Sequence, residues 1–337
     1  MRLVIFAAMA VCWGVAWADD LPRDTNEIKT LTVEQAESLS KHYFFGPLYL
    51  KGLTSLTPEA AAALAKRKHH LYLDGLITLS PEAARALAKL GGHITLSGLA
   101  TISPEAAEAL AKHCCELALD GLTTLTPEVA EALAKHKGGL SLNGLTSLTP
   151  EAAEVLAKTD SNLSLDGLTM LSDEAAEALS QYKGRLSLNG LTMLSDEAAK
   201  ALAKCKGHLY LDGLTTLTNA ELAAKLAPRQ REVKTMFPAK PFKSLTTLSP
   251  KAAEALAQHS SGHLHLDGLT TLSYEVAKAL AQHKGGSMNL DGLTTLSDKA
   301  AEALAQYKGR LSLNERTMRS EEHTSELQSR VDISYAV

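Results

Sequence analysis

The chain has 337 residues, 45% of them hydrophobic but only 4% aromatic, and a formal charge of -4. That mild acidity gives no electrostatic reason to hold a polyanion, so nucleic acid is excluded as an expected partner. With so few aromatic residues the core has to be built from Leu and Ala, which suits thin repeated layers better than one large globule.

Met1 and Arg2 lead into an apolar run from Leu3 to Val15, then Ala16-Trp17-Ala18 and Asp19-Asp20. Charged start, apolar middle and small-residue cleavage site are the order of a secretory signal, read over residues 1–18. The run falls short of the roughly 20 apolar residues that cross a bilayer as a helix. Export to a periplasm, cell surface or medium is therefore expected, with no membrane span after cleavage. Loss of the leader removes Cys12 and leaves Cys114, Cys115 and Cys205, an odd number without framework spacing, so no structural disulfide is expected. Residues 19–47 read as a linker and cap, in which Leu31 to Leu39 has helical spacing.

Gly52, Gly75, Gly98, Gly121, Gly144, Gly167, Gly190 and Gly213 then fall every 23 residues. Self-similarity at that period marks units that stack along one axis. In the unit Leu140 to Asn162, Leu140 and Leu142 alternate with Ser141 and Asn143, the period of a short strand with one buried face. Gly144 is expected to end the strand, as a residue free to take positive φ. Thr149 suits a helix N-cap, Pro150 the first helical position and Glu151 the positive end of the dipole. Ala152, Ala153, Leu156 and Ala157 fall on the inner face of a helix of at most three turns, with Glu154 and Lys158 paired outside. One short strand and one short helix per repeat predict a right-handed parallel β/α solenoid.

The strand segment and leucine ladder, as in Leu186-Ser187-Leu188 followed by Leu191, resemble leucine-rich repeats over roughly Leu48 to Leu313. Leu145 and its equivalents stand where that family often has Asn or Cys, and the helix is unusually rich in Ala. The resemblance implies a horseshoe of about eleven units that binds another macromolecule, a protein first of all, on its concave strand face.

The period breaks once. From Gly213 the next equivalent position is Ser244, 31 residues on, and the irregular insertion 228–243 reads PRQREVKTMFPAKPFK. Its three prolines forbid a regular helix or central strand. Arg229, Arg231 and Phe237, with Met236 and Phe242, make it the least repeat-like surface and a candidate binding loop. The solenoid is read over 48–318. After Asn314 the pattern is lost, and residues 319–337 begin RSEEHTSELQS, which resembles the in-frame translation of a sequencing adapter; this tail is set aside as an artefact, and the natural chain is expected to have continued, with a C-terminal domain or capping repeat missing.

Three groups of residues are candidate sites. The strand face presents one column containing Tyr49 and Tyr72 and a second containing Asp74, Asp120, Asp166, Asp212, Asp267 and Asp291. The second alternates Asp with a neutral residue as far as Asp212, as a turn-forming ladder would, and alternatively offers an acidic strip to a basic peptide or Ca²⁺. Tyr49 and Tyr72 are stacking platforms if the ligand is a carbohydrate or cell wall. The insertion is the second candidate. His113 with His136, and His259 with His283, form the third: each pair shares a helix-end column and approaches a metal with Cys114 as a further ligand, or is a pair of solvated helix termini. No cofactor, no resident metal and no catalytic constellation are expected, so the reading is a non-enzymatic scaffold, with the targeting arm of a larger enzyme as its alternative.

Overall fold

A computed structural model describes residues 24–42, 46–159, 161–227 and 242–314, with Pro22. The leader, the insertion residues Arg229, Arg231 and Phe237, and the tail 319–337 lie outside the described residues. After a cap helix at Val33–His42, short strands and short helices alternate. Eight strands, from Leu48–Tyr49 to His208–Tyr210, lie side by side in chain order in one parallel sheet. Three more, from Leu264–His265 to Arg310–Ser312, form a second parallel sheet in the same order. Leu140 lies opposite Leu163 and Ser141 opposite Ser164, so strand register and sequence period coincide.

Each coil buries the same leucines and alanines. In the unit read above, Leu142, Leu145, Ala152, Ala153 and Leu156 are fully buried. Burying one such leucine stabilises by about 1.5–3 kcal/mol, and the next coil repeats it. The helix, Pro150–Leu156, has seven residues, about two turns rather than three. It ends there because Thr159 N–H turns back to the Leu156 carbonyl at 3.1 Å, which sends the chain down toward the next strand. A helix so short has no independent stability, so packing and capping hold it. Thr149 Oγ1 accepts the Ala152 N–H at 3.3 Å, and Pro150 follows in the first turn. Thr149→Ala is expected to cost about 1 kcal/mol in urea unfolding. Thr146→Ala, exposed and outside any cap, should stay within about 0.5 kcal/mol of the parent.

The periodic glycines serve a different purpose from the one their sequence context suggests. None of them adopts positive φ. Instead, a Cβ placed on Gly144 would lie 2.1 Å from the Asp120 carbonyl oxygen and 2.7 Å from that of Leu122. Gly167, Gly190 and Gly213 meet the preceding coil's backbone in the same way, at 1.9, 2.1 and 1.9 Å. The glycine column is therefore where successive coils touch backbone to backbone.

The first coil is completed by residues that carry no repeat signature. Thr25–Glu27 form one 3-10 turn, Thr25 Oγ1 donates to the Tyr49 carbonyl at 2.6 Å, and Asn26 Oδ1 accepts the Lys51 N–H at 3.3 Å. The Asn26 carbonyl also crowds Gly52 as Asp120 crowds Gly144. Arg67, 2% exposed, donates from Nη1 to the Leu39 carbonyl and from Nη2 to that of Gly46, tying the end of the cap helix to the stack.

At the break in period the coils on either side touch directly. Thr246 N–H donates to the Thr215 carbonyl at 2.9 Å, and Thr247–Leu248 pairs in parallel with Thr216–Leu217. Phe242, assigned above to the irregular surface, is instead buried at 5% exposure. It stands two residues before Ser244, where Leu211 precedes Gly213, and fills that leucine's place in the core. It does so with a φ of 78°, the left-handed region a bulky residue rarely occupies.

Candidate functional site

The strand face is assembled from one residue pair per coil. Beyond exposed Tyr49 and Lys51 in the first coil, its two columns are mostly half-buried rather than freely solvated, and Ser141 is only 9% exposed. Asp120 Oδ1 accepts both the Ser141 hydroxyl at 2.6 Å and the Asn143 backbone N–H at 2.9 Å. Asn143 Oδ1 then accepts from Ser164 Oγ and Asp166 N, both at 2.8 Å. Asp166 Oδ1 accepts from Ser187 Oγ at 2.6 Å and Asn189 N at 2.8 Å, and Asn189 Oδ1 takes the Asp212 N–H at 2.9 Å. Each Asp or Asn thus holds the strand end of the following coil. Asp74 contributes the same contact to Ser97 N–H at 3.3 Å.

Alternation with Asn keeps these carboxylates from facing one another in adjacent coils. Where they lie two coils apart, a residual effect persists: burial, and then the charge of Asp166, raise the pKa of Asp212 above the ordinary carboxylate value. The consecutive pair Asp267 and Asp291 breaks the pattern. Asp291 N–H is taken by Asn289 of its own strand at 2.9 Å, His265 Nδ1 stands 3.9 Å from Asp267 Oδ2, and Asp291 Oδ1 accepts the Ser312 hydroxyl at 2.8 Å.

At the other end of the face the carboxylates give way to an aromatic and basic group. Tyr49 and Tyr72 stack with ring centroids 4.4 Å apart and planes 18° from parallel. Lys51 Nζ lies 5.7 Å from the Tyr49 ring centre, within cation–π range. Tyr49 is 39% exposed. Burial first, and then the neighbouring Tyr49, raise the Tyr72 pKa, so this phenol stays a neutral donor. Beside it His70 and His93 meet edge to face at 4.2 Å, and His93 Nδ1 lies 3.1 Å from Glu116 Oε2.

Three of the four histidines are not solvated helix ends; His259 is. His113, His136 and His283 are 1, 3 and 4% exposed. They belong to a column that also holds Arg67, Leu90, Thr159, Tyr182 and Cys205, each bonding its backbone N–H to the leucine three residues earlier. Their side chains reach back over the preceding coil: Cys205 Sγ donates to the Tyr182 carbonyl at 3.5 Å, Tyr307 Oη donates to that of Gly285 at 3.0 Å, and Tyr182 Oη donates to that of Ser161. Helix-end sequence alone points to solvent; the return of the chain under the helix is what buries this position.

Neither proposed histidine pair converges on a metal. The His113 and His136 rings run parallel at 6.3 Å, and His136 Nδ1 already lies 3.4 Å from the Ala111 carbonyl. His259 is exposed because its helix, Pro250–His259, runs ten residues, and Ser260 occupies the buried position instead. Cys114 faces Cys115, with sulfurs 3.3 Å apart. Among the described residues no group of three His, Cys, Asp or Glu side chains is placed to hold a metal ion. His263 bonds Ser287, while the histidines beside carboxylates are His93, at Glu116, and His265, at Asp267.

These coils, stacked through a parallel strand column with an inward leucine ladder, define a parallel β/α solenoid. No family model and no curated protein matches the chain. Among solved structures, a leucine-rich-repeat protein of Leptospira interrogans aligns over 92% of this chain and 99% of its own, at 17% identity and a TM-score of 0.37. The yeast Rad7–Elc1 complex aligns over 98% and 85%, at 15% identity and a TM-score of 0.32. Among the described residues no helix is long and apolar enough to cross a membrane.

Proposed function

We propose that the chain is a binding scaffold for another protein, which docks on the strand face at Tyr49, Lys51 and Tyr72. The observation that carries this reading is the stack of exposed Tyr49 on half-buried Tyr72 beside a lysine, set on strands that pair in register. Tyrosine contributes large contact area with little side-chain entropy to lose, which is why it anchors protein interfaces. The acidic column is a weaker candidate, since the ladder already occupies Oδ1 of Asp74, Asp120 and Asp166.

A photo-crosslinking residue at position 49 or 72, expressed in the source cells, is expected to capture one discrete protein. The same residue at Glu154 on the helix side should capture none. Equal yields from the two faces would sink the reading.

A further inference from the structure

Cys114 and Cys115 stand where the repeat does not call for thiols. The equivalent pairs from 68 to 207 are Lys68-His69, Gly91-Gly92, Lys137-Gly138, Asp160-Ser161, Lys183-Gly184 and Lys206-Gly207; none holds a thiol, and glycine prevails at the second position, where a Cβ on Gly92 would crowd His69 and one on Gly207 would crowd Gly184. Here a cysteine is accommodated and its sulfur is oriented. Cys115 Sγ donates to the Gly91 carbonyl at 3.5 Å and lies 3.3 Å from Cys114 Sγ, while Cys114 itself is exposed. Cys205, by contrast, is buried and bonded to the Tyr182 carbonyl.

We propose that Cys114 and Cys115 are a reversible modification site for two-electron oxidants of the peroxide class, closing to a vicinal disulfide. The Cys114 thiolate attacks one oxygen of hydrogen peroxide; the S–O bond forms, the O–O bond breaks, and the departing hydroxide leaves as water after taking a proton. Cys115, deprotonated, attacks the resulting sulfenic sulfur; the S–S bond forms, the S–O bond breaks, and the second hydroxide takes the proton Cys115 gave up. Two thiols and one peroxide thus become one disulfide and two waters. Cys114 is the attacking group because it is the exposed one, and the bond to Cys114 together with burial raises the pKa of the Cys115 thiol.

Adjacent Cα atoms are about 3.8 Å apart, below the roughly 4.4–6.8 Å that disulfides usually span, so closure twists the intervening peptide. A strained bridge is readily reduced, which makes the change reversible. The twist also reaches the stack, because the Cys115 carbonyl is the atom against which Gly138 of the next coil packs.

The test treats the full chain with a small excess of hydrogen peroxide at neutral pH, digests it with trypsin without reduction, and weighs the peptide His113–Lys135, which holds both thiols. The expected result is loss of two hydrogens from that peptide, loss of iodoacetamide labelling at both cysteines, and recovery of both with dithiothreitol. Cys114→Ser, at an exposed position, should abolish the hydrogen loss. Oxygen added at Cys114 without hydrogen loss, or disulfide-linked dimers through this peptide, would overturn the proposal.

Discussion

Gly144→Ala is expected to lower stability by about 3 kcal/mol, the upper part of the range for forcing an extra carbon into packed structure, read as a fall in the urea midpoint by circular dichroism. The reason is steric. The added Cβ would sit 2.1 Å from the Asp120 carbonyl oxygen and 2.7 Å from that of Leu122, both backbone atoms that no rotamer change can move. The coils must part at that point, and the Asp120 contact to Asn143 N–H parts with them. Since each coil is stabilised mainly by its neighbours, the damage is expected to split one unfolding transition into two, one for each side of the weakened joint. Gly286→Ala is the control: nothing lies within 4 Å of its Cβ, so it should leave stability within about 0.5 kcal/mol of the parent. If both substitutions cost the same, the glycine column serves chain conformation and the packing account fails.

The second large effect is acid sensitivity from the buried histidines. Burial is the largest influence on both His113 and His283 and holds their pKa values below the ordinary 6.5; near His113 the carbonyls of Ala88 and Gly92 partly oppose it, while His136 and His93 add to it. The unfolded chain therefore binds more protons than the folded one in this range. Stability is fully present above about pH 6.5 and is lost as pH falls from there through the folded-state values of the two imidazoles. Carboxylates such as Asp196, lowered first by its bond to Lys200, and Glu82, lowered first by a backbone hydrogen bond and then by Arg85, titrate below that window. His70, held below the ordinary value by burial first and then by His93, adds to the same loss, whereas Asp212, whose pKa is raised, works the other way, so a urea midpoint that falls between pH 8 and pH 5 reports the imidazoles as the larger group.

Leu90 holds the equivalent position in its own coil, fully packed, so leucine is the natural replacement. His113→Leu with His283→Leu should match the parent at pH 8 within about 1 kcal/mol, as a packed apolar side chain replaces a neutral ring. At pH 5 the double variant should be the more stable protein. A parent whose urea midpoint is flat from pH 8 to pH 5 would show that the imidazoles are reached by water.

Much of the coil is legible in the sequence because its determinants are local. The helix start at Thr149-Pro150 needs only an N-cap oxygen, a proline without an N–H, and the alanines that follow. Alternation of Leu140 and Leu142 with Ser141 and Asn143 tells which strand face is buried. The Asp and Asn column is visible as a pattern, but its bonding is not: that Asp120 holds the next coil's N–H, while Asp291 is held by Asn289 of its own strand, depends on distances between coils. Asn26 has no repeat around it, so nothing local marks it as the first rung. Phe242 sits in an irregular stretch, and only the stacking of Thr246 on Thr215 places it in the core.

The sequence by itself determined the unit: its 23-residue length, its strand and helix, its inward leucines and the number of times they recur. These follow from spacing along the chain, and spacing is what a sequence records. Tertiary structure alone decided the meaning of three residue types within that unit. The glycines are close-contact points because the preceding coil's carbonyls lie where a Cβ would be. His113, His136 and His283 are buried because the chain turns beneath them. Tyr49 and Tyr72, 23 residues apart, become one exposed surface because parallel strands bring equivalent positions of successive coils side by side.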